Sequence, residues 1–152
     1  MLSDKFFTEV VFIPLHLVTG WLAFFAGIAS GAVIGLFFHD DAWLGGYGSF
    51  RRRLIRLGHI SFFGMGALNV LFATSIAEMP VEAPYLDGAS SALIIATIGM
   101  PLCCALTAWR KSFRHLCAVP VFAAMAAVGL LLTGWVTSIA AGSTGDSARV
   151  VR

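Results

Sequence analysis

Histidine side chains are the best candidates for chemistry in this chain, because a neutral imidazole can bind a metal ion or a haem iron. Two of the four, His59 and His115, follow short basic runs and precede long apolar segments. The clearest example is the stretch SFRRRLIRLGHISFFGMGALN at 49–69, where an arginine cluster turns within one helical turn into apolar sequence. This placement puts both imidazoles at the same end of neighbouring apolar helices.

Two imidazoles at similar depth, an apolar slot and nearby cations are what a b-type haem between two helices requires. We therefore predict a haem b site near the basic loops. His59 and His115 would be the iron ligands, Arg56 and Arg114 would neutralise the propionates, and Gly66 would let the ring approach closely.

Other interpretations of these histidines remain open. Histidines beside arginines at a membrane boundary also contact lipid headgroups or cap helices, and a haem or metal site could use His39 instead. His16 lies near the opposite end of its apolar segment, about 25 Å in depth from His59, so the two cannot share one metal. With Trp21 it is expected to form a plain interfacial anchor.

Composition places the chain in a membrane. Of 152 residues, 59% are hydrophobic and only 12% are charged, and the mean hydropathy is +0.88; soluble domains carry about 25% charged residues. We predict one integral membrane domain. The net charge of +2 does not indicate a nucleic-acid partner. The three cysteines lie in or near apolar stretches and are interpreted as small buried hydrophobic residues: Cys103, Cys104 and Cys117.

Four apolar segments have the ~20 residues needed to cross the hydrocarbon core. They are predicted at about 14–38, 57–77, 89–109 and 117–141, followed by a polar, mobile tail at 142–152. The expected fold is all-α, an antiparallel bundle of four transmembrane helices.

The distribution of charge predicts the orientation of this bundle. The first and third loops are basic, whereas the second carries Glu78, Glu82 and Asp87 and no basic residue. Because arginine and lysine stay on the cytoplasmic side, the basic loops should be cytoplasmic and both termini external. We expect the protein to lie in the bacterial inner membrane.

Small residues in the first segment predict close helix packing. Alanine or glycine recurs at every fourth position, which forms a flat groove on one helix face. These residues are Ala23, Gly27, Gly31 and Gly35. Asn69, in the second segment, needs a hydrogen-bond partner in lipid, for which Thr97, beside the helix-breaking Pro101, or Ser30 are candidates.

Familiar catalytic signatures are missing, so an autonomous enzyme is not expected. In architecture alone, a small four-span chain with histidines at helix ends resembles the membrane-anchor and cytochrome b subunits of respiratory complexes. We therefore expect a small subunit of an energy-transducing electron-transfer complex, respiratory or photosynthetic. Its partners would be other integral membrane subunits, lipids, and a quinone or pigment.

Two alternatives stand beside this expectation. One is a cofactor-free scaffold that packs helices, lipids or pigments around a larger complex. The other is a small transporter, which the absence of charged residues deep within the segments disfavours.

Overall fold

The computed structural model describes residues 8–79 and 81–150, with side chains from 10 to 140 except position 80. In this part of the chain every regular element is a helix. A π-helical turn at Thr8–Phe12 leads directly into α1 (Ile13–Leu36), which is followed by α2 (Phe50–Glu78), α3 (Ala83–Trp109) and α4 (Ala118–Val150). Short 3₁₀ turns at Trp43–Gly45 and Lys111–Cys117 lie in the basic loops.

The all-helical prediction is confirmed, and four helices of the described chain are long and apolar enough to cross a membrane. Helix boundaries follow local chemistry. Pro14 stands in the first turn of α1, where its missing N–H is not needed. The Ser49 hydroxyl oxygen caps α2 by accepting a hydrogen bond from the backbone N–H of Arg52 at 3.2 Å. In the loop before it, Gly45 and Gly46 have φ of +88° and +92°, a region that favours glycine.

The first and the last boundary differ from the predicted ones. The π-helical turn and α1 are continuous, so the chain is already helical at Thr8, the first described residue, ahead of the predicted start at about position 14. The expected polar tail is helical as far as Val150, because α4 continues past the predicted end at 141. The last two residues of that tail lie outside the described residues.

Extensive packing joins helices that are neighbours in sequence: α1 with α2, α2 with α3, and α3 with α4. We call the end formed by the loops at 37–49 and 110–117 the basic end, and the end formed by Thr8 and the α2–α3 connection the acidic end. The largest cluster of buried apolar side chains joins α2, α3 and α4. It comprises Met65, Phe72, Ile76, Leu86, Ala89, Leu93, Ala96 and Ala127.

A glycine pair sets the crossing of α1 and α2. A Cβ built on Gly20 would lie 2.9 Å from the carbonyl oxygen of Gly66, and one on Gly66 would lie 3.0 Å from the carbonyl oxygen of Gly20. The backbones therefore touch, as small residues permit at helix interfaces in lipid. Farther along α1, Gly27 faces the Phe63 ring and Gly31 faces the His59 ring. Gly35, at the end of α1, does not share the close packing expected for this row of small residues, since a Cβ there would meet nothing within 4 Å.

We predict that Gly66→Val lowers the free energy of unfolding by roughly 2–3 kcal/mol, because its side chain would force the two backbones apart. Gly64→Val is the matched control. It lies on the same helix, and a Cβ there meets nothing within 4 Å. SDS titration of both variants in mixed micelles measures the difference, and equal losses would show that the Gly20–Gly66 contact is unimportant.

Candidate functional site

A long apolar groove runs between α1 and α3, with α2 as its floor. Its volume is about 920 Å³. On α1 the lining extends from Leu15 to Ile34, a rise of about 28 Å. Leu22 and Ile98 line the groove and are exposed, so it opens on the outer surface of the helices. The described residues that line it include no aspartate, glutamate, lysine or arginine.

His59 is the titratable side chain among the groove-lining residues. Its Nδ1 lies 3.0 Å from the Ser30 hydroxyl oxygen, and that hydroxyl also lies 3.0 Å from the carbonyl oxygen of Gly27. A hydroxyl has one proton, which Ser30 donates to Gly27, so the protonated Nδ1 of His59 donates to Ser30. This tautomer leaves the lone pair on Nε2, and Nε2 makes no hydrogen bond with another described residue.

Close packing holds the imidazole in this place. A Cβ on Gly31 would come within 2.7 Å of His59 Cε1, so only glycine lets the ring lie against α1. The Phe63 ring packs edge-on against the imidazole, with 5.3 Å between centroids. His59 is therefore a pre-positioned hydrogen-bond acceptor in an apolar groove.

A chain of buried polar side chains ties α1, α2 and α3 together toward the acidic end. Asn69 Nδ2 donates to Thr97 Oγ1 at 2.7 Å and to the carbonyl oxygen of Met65 at 2.8 Å. Its Oδ1 accepts from His16 Nδ1 at 2.7 Å, and His16 Nε2 lies 2.9 Å from the Ser90 hydroxyl. With a neutral imidazole, Nε2 accepts a hydrogen bond from the Ser90 hydroxyl, and every polar group in this series of side chains has a partner. We call these side chains, His16, Asn69, Ser90 and Thr97, the polar cluster.

The prediction that His16 is an interfacial anchor is wrong, because the side chain is fully buried. Helical structure from Thr8 explains the difference. It places His16 eight residues, or about 12 Å, into the helical segment, at a depth similar to that of Asn69, nine residues from the end of α2. Trp21, its expected companion, is exposed. The polar cluster fits a structural role, since it holds α1 to α3 at one end of the groove.

Arg52 occupies an aromatic cage in the α1–α2 loop instead of facing water. Only 1% of its surface is exposed. Its guanidinium carbon lies 5.3–5.5 Å from the ring centroids of Phe38, Trp43 and Tyr47, and Nη1 donates to the carbonyl oxygen of Asp40 at 3.4 Å. The aromatic residues of the loop thus surround one cation.

The other residues of the predicted haem site have separate surroundings. His115 is exposed in the 3₁₀ turn before α4, and its Nε2 accepts from Arg114 Nε at 3.2 Å. The Arg56 guanidinium lies 4.5 Å from the centroid of the Tyr47 ring. Gly66 packs on α1, against Gly20 and Phe24. His39 is exposed in the α1–α2 loop.

Within the described ranges, no three histidine, cysteine, aspartate or glutamate side chains form a group that could hold a metal ion.

No family model, curated protein or solved structure matches this chain. The sequence pattern indicates His59 and Asn69, but it does not indicate that Ser30 is the partner of His59 or that His16 is the partner of Asn69. Helix depth was the missing signal, because polar side chains at matching depths on antiparallel helices are the ones that can meet.

Proposed function

We propose that the protein is a small integral membrane subunit of an energy-transducing electron-transfer complex, and that its groove holds an isoprenoid quinol. The observation that carries this proposal is the unpartnered Nε2 of His59 in a long apolar groove. A ring hydroxyl of the quinol donates to Nε2, while the isoprenoid chain lies along the hydrocarbon side chains of α1 and α3.

Shape and polarity both support this ligand class. Ligand sites are typically apolar with a few placed polar groups, and a groove of about 28 Å matches the bilayer core, ~30 Å thick. His59 lies one turn deeper than Arg56, so the quinol ring would sit just inside the membrane boundary at the basic end. An acceptor at that point favours the reduced quinol, whose hydroxyls donate, over the quinone, which only accepts.

The charge distribution supports an orientation for the proposed subunit. Basic residues at both loops of the basic end favour a cytoplasmic location for that end in a bacterial cell, with the chain termini outside the inner membrane. In the proposed complex, other integral membrane subunits would supply the redox centres.

Extraction of bound quinone tests the function. The protein is purified from native membranes in mild detergent, and quinone per polypeptide is measured after solvent extraction. We expect retained quinone in the wild type, at least a tenfold loss in His59→Ala, and no change in His115→Ala. A wild type without quinone, or equal retention in His59→Ala, would contradict the proposal.

A single haem on His59 is a second candidate. Ligating histidines usually donate their other ring N–H to a neighbouring group, as His59 does to Ser30, which leaves Nε2 for a metal. A second ligand from His115 stays a prediction. A pyridine haemochrome spectrum separates the two candidates, because haem gives sharp visible bands and a quinol gives none.

A further inference from the structure

A second cavity, of about 190 Å³, lies between α2, α3 and α4. Hydrocarbon side chains line most of it, including Leu68, Leu71, Leu93 and Leu131. Two polar side chains also line it, Ser75 from α2 and Trp135 from α4. Its lining shares no residue with that of the groove that contains His59.

The indole of Trp135 gives this cavity its chemistry. Among the described side chains, its Nε1 is the buried nitrogen or oxygen atom without a hydrogen-bond partner. An indole nitrogen can only donate, and leaving a buried donor unpaired costs about 1–3 kcal/mol. The site therefore favours an occupant that brings an acceptor oxygen.

The Ser75 hydroxyl supplies a second available donor. Hydroxyls elsewhere on these helices bond to a carbonyl of their own helix, as Thr74 and Thr133 do. Ser75 has no such side-chain bond within the described chain, although its backbone carbonyl accepts from Met79. Two side chains that carry a hydrogen-bond donor thus line the cavity, and no charged side chain does.

The depth of the cavity matches that of lipid ester groups. Ser75 lies one turn before the end of α2. Gly134, beside Trp135, packs on Val81, just before α3, and on Tyr85 in the first turn of α3. Tryptophan is enriched at this boundary between hydrocarbon and headgroups. Leu71 and Val128 line the cavity and are exposed, so it opens on the outer surface of the helices.

We propose that this cavity binds one acyl chain of a glycerophospholipid, whose ester carbonyl accepts a hydrogen bond from the Trp135 indole. The first part of the acyl chain fills the space between Leu68, Leu71 and Leu131. The ester carbonyl oxygen accepts a hydrogen bond from the buried indole N–H of Trp135, and the Ser75 hydroxyl can donate to the same ester.

Ether-linked lipids provide a sharp test, because they lack the carbonyl and keep the chains. The protein is titrated with diacyl and with dialkyl phosphatidylcholine of equal chain length, and bound lipid is counted by native mass spectrometry. We expect the wild type to bind the diacyl lipid roughly three- to tenfold more tightly. Trp135→Phe should lose this preference, whereas Trp109→Phe, which changes an exposed tryptophan at the basic end, should keep it.

Equal affinity of the wild type for both lipids would overturn the proposal, and this comparison needs no variant to fold. A preference that survives in Trp135→Phe would also overturn it, since another donor would then read the ester. Cross-linking of position 135 to a partner polypeptide in native membranes would show that a protein acceptor occupies the site instead.

Discussion

Asn69→Ala is expected to lower the free energy of unfolding by roughly 3–4 kcal/mol. The change removes three hydrogen bonds at once: those with His16, with Thr97 and with the carbonyl of Met65. Hydrogen bonds between membrane helices contribute about 0.6 kcal/mol each on average and up to about 1.7. The larger part of the loss comes from His16, whose Nδ1–H stays buried without an acceptor.

The measurement is SDS unfolding in mixed micelles, with Thr74→Ala as the control. Thr74 lies on the same helix, and its exposed hydroxyl bonds only to carbonyls of α2. A double variant, His16→Leu with Asn69→Leu, should lose less than the sum of the two single variants, because it leaves no unpaired partner between them. A loss for Asn69→Ala as small as that for Thr74→Ala would mean that the polar cluster does not hold the helices together.

Arg52→Ala has the second large expected effect, a loss of roughly 2–4 kcal/mol. Each cation–π contact of a desolvated guanidinium is worth about 1–2 kcal/mol, and three rings surround this one. Removing it also leaves a cavity among those rings. Arg52→Lys should recover only part of the loss, because an ammonium lacks the planar surface that stacks on aromatic rings.

Arg53→Ala is the matched control for the aromatic cage, since it removes the same charge from the neighbouring, exposed position. We expect little change in stability for this variant. Limited proteolysis of the α1–α2 loop gives an independent measurement, with faster cleavage in Arg52→Ala alone. Equal cleavage of the two variants would show that the cage does not order the loop.

Much of the fold follows directly from hydropathy, and the structure shows why its details do not. Four helices are required by the length of the apolar segments, and their ends at Leu36, Glu78 and Trp109 lie within two residues of the predicted ones. The starts of α2 and α3 lie seven and six residues before the predicted ones. Each helix begins directly after its N-cap, Ser49 or Glu82, and its first two turns include charged residues such as Arg51 or Asp87. Hydropathy detects the part of a helix that fits the hydrocarbon core and misses its polar ends.

The site was harder to predict because it depends on depth and direction within the bundle. The His59–Ser30 contact joins residues 29 positions apart, and the His16–Ser90 contact joins residues 74 apart. Arg52 and Arg53 are identical in type and adjacent, yet one is buried and the other is exposed. Composition cannot separate them, because the direction of each side chain is set by helix phase and by the fold of a loop containing the left-handed Gly45 and Gly46.

Photolabelling with an azidoquinone shows directly whether the groove binds a quinol. The protein in native-like membranes is irradiated with the reduced probe, and labelled peptides are mapped by mass spectrometry. We predict labels on the groove faces of α1 and α3, near Ser30 and Ile98, competition by unlabelled quinol, and loss of labelling in His59→Ala but not in His115→Ala. Labels spread evenly over all four helices, or unaffected by His59→Ala, would contradict the claim that this groove is a quinol site.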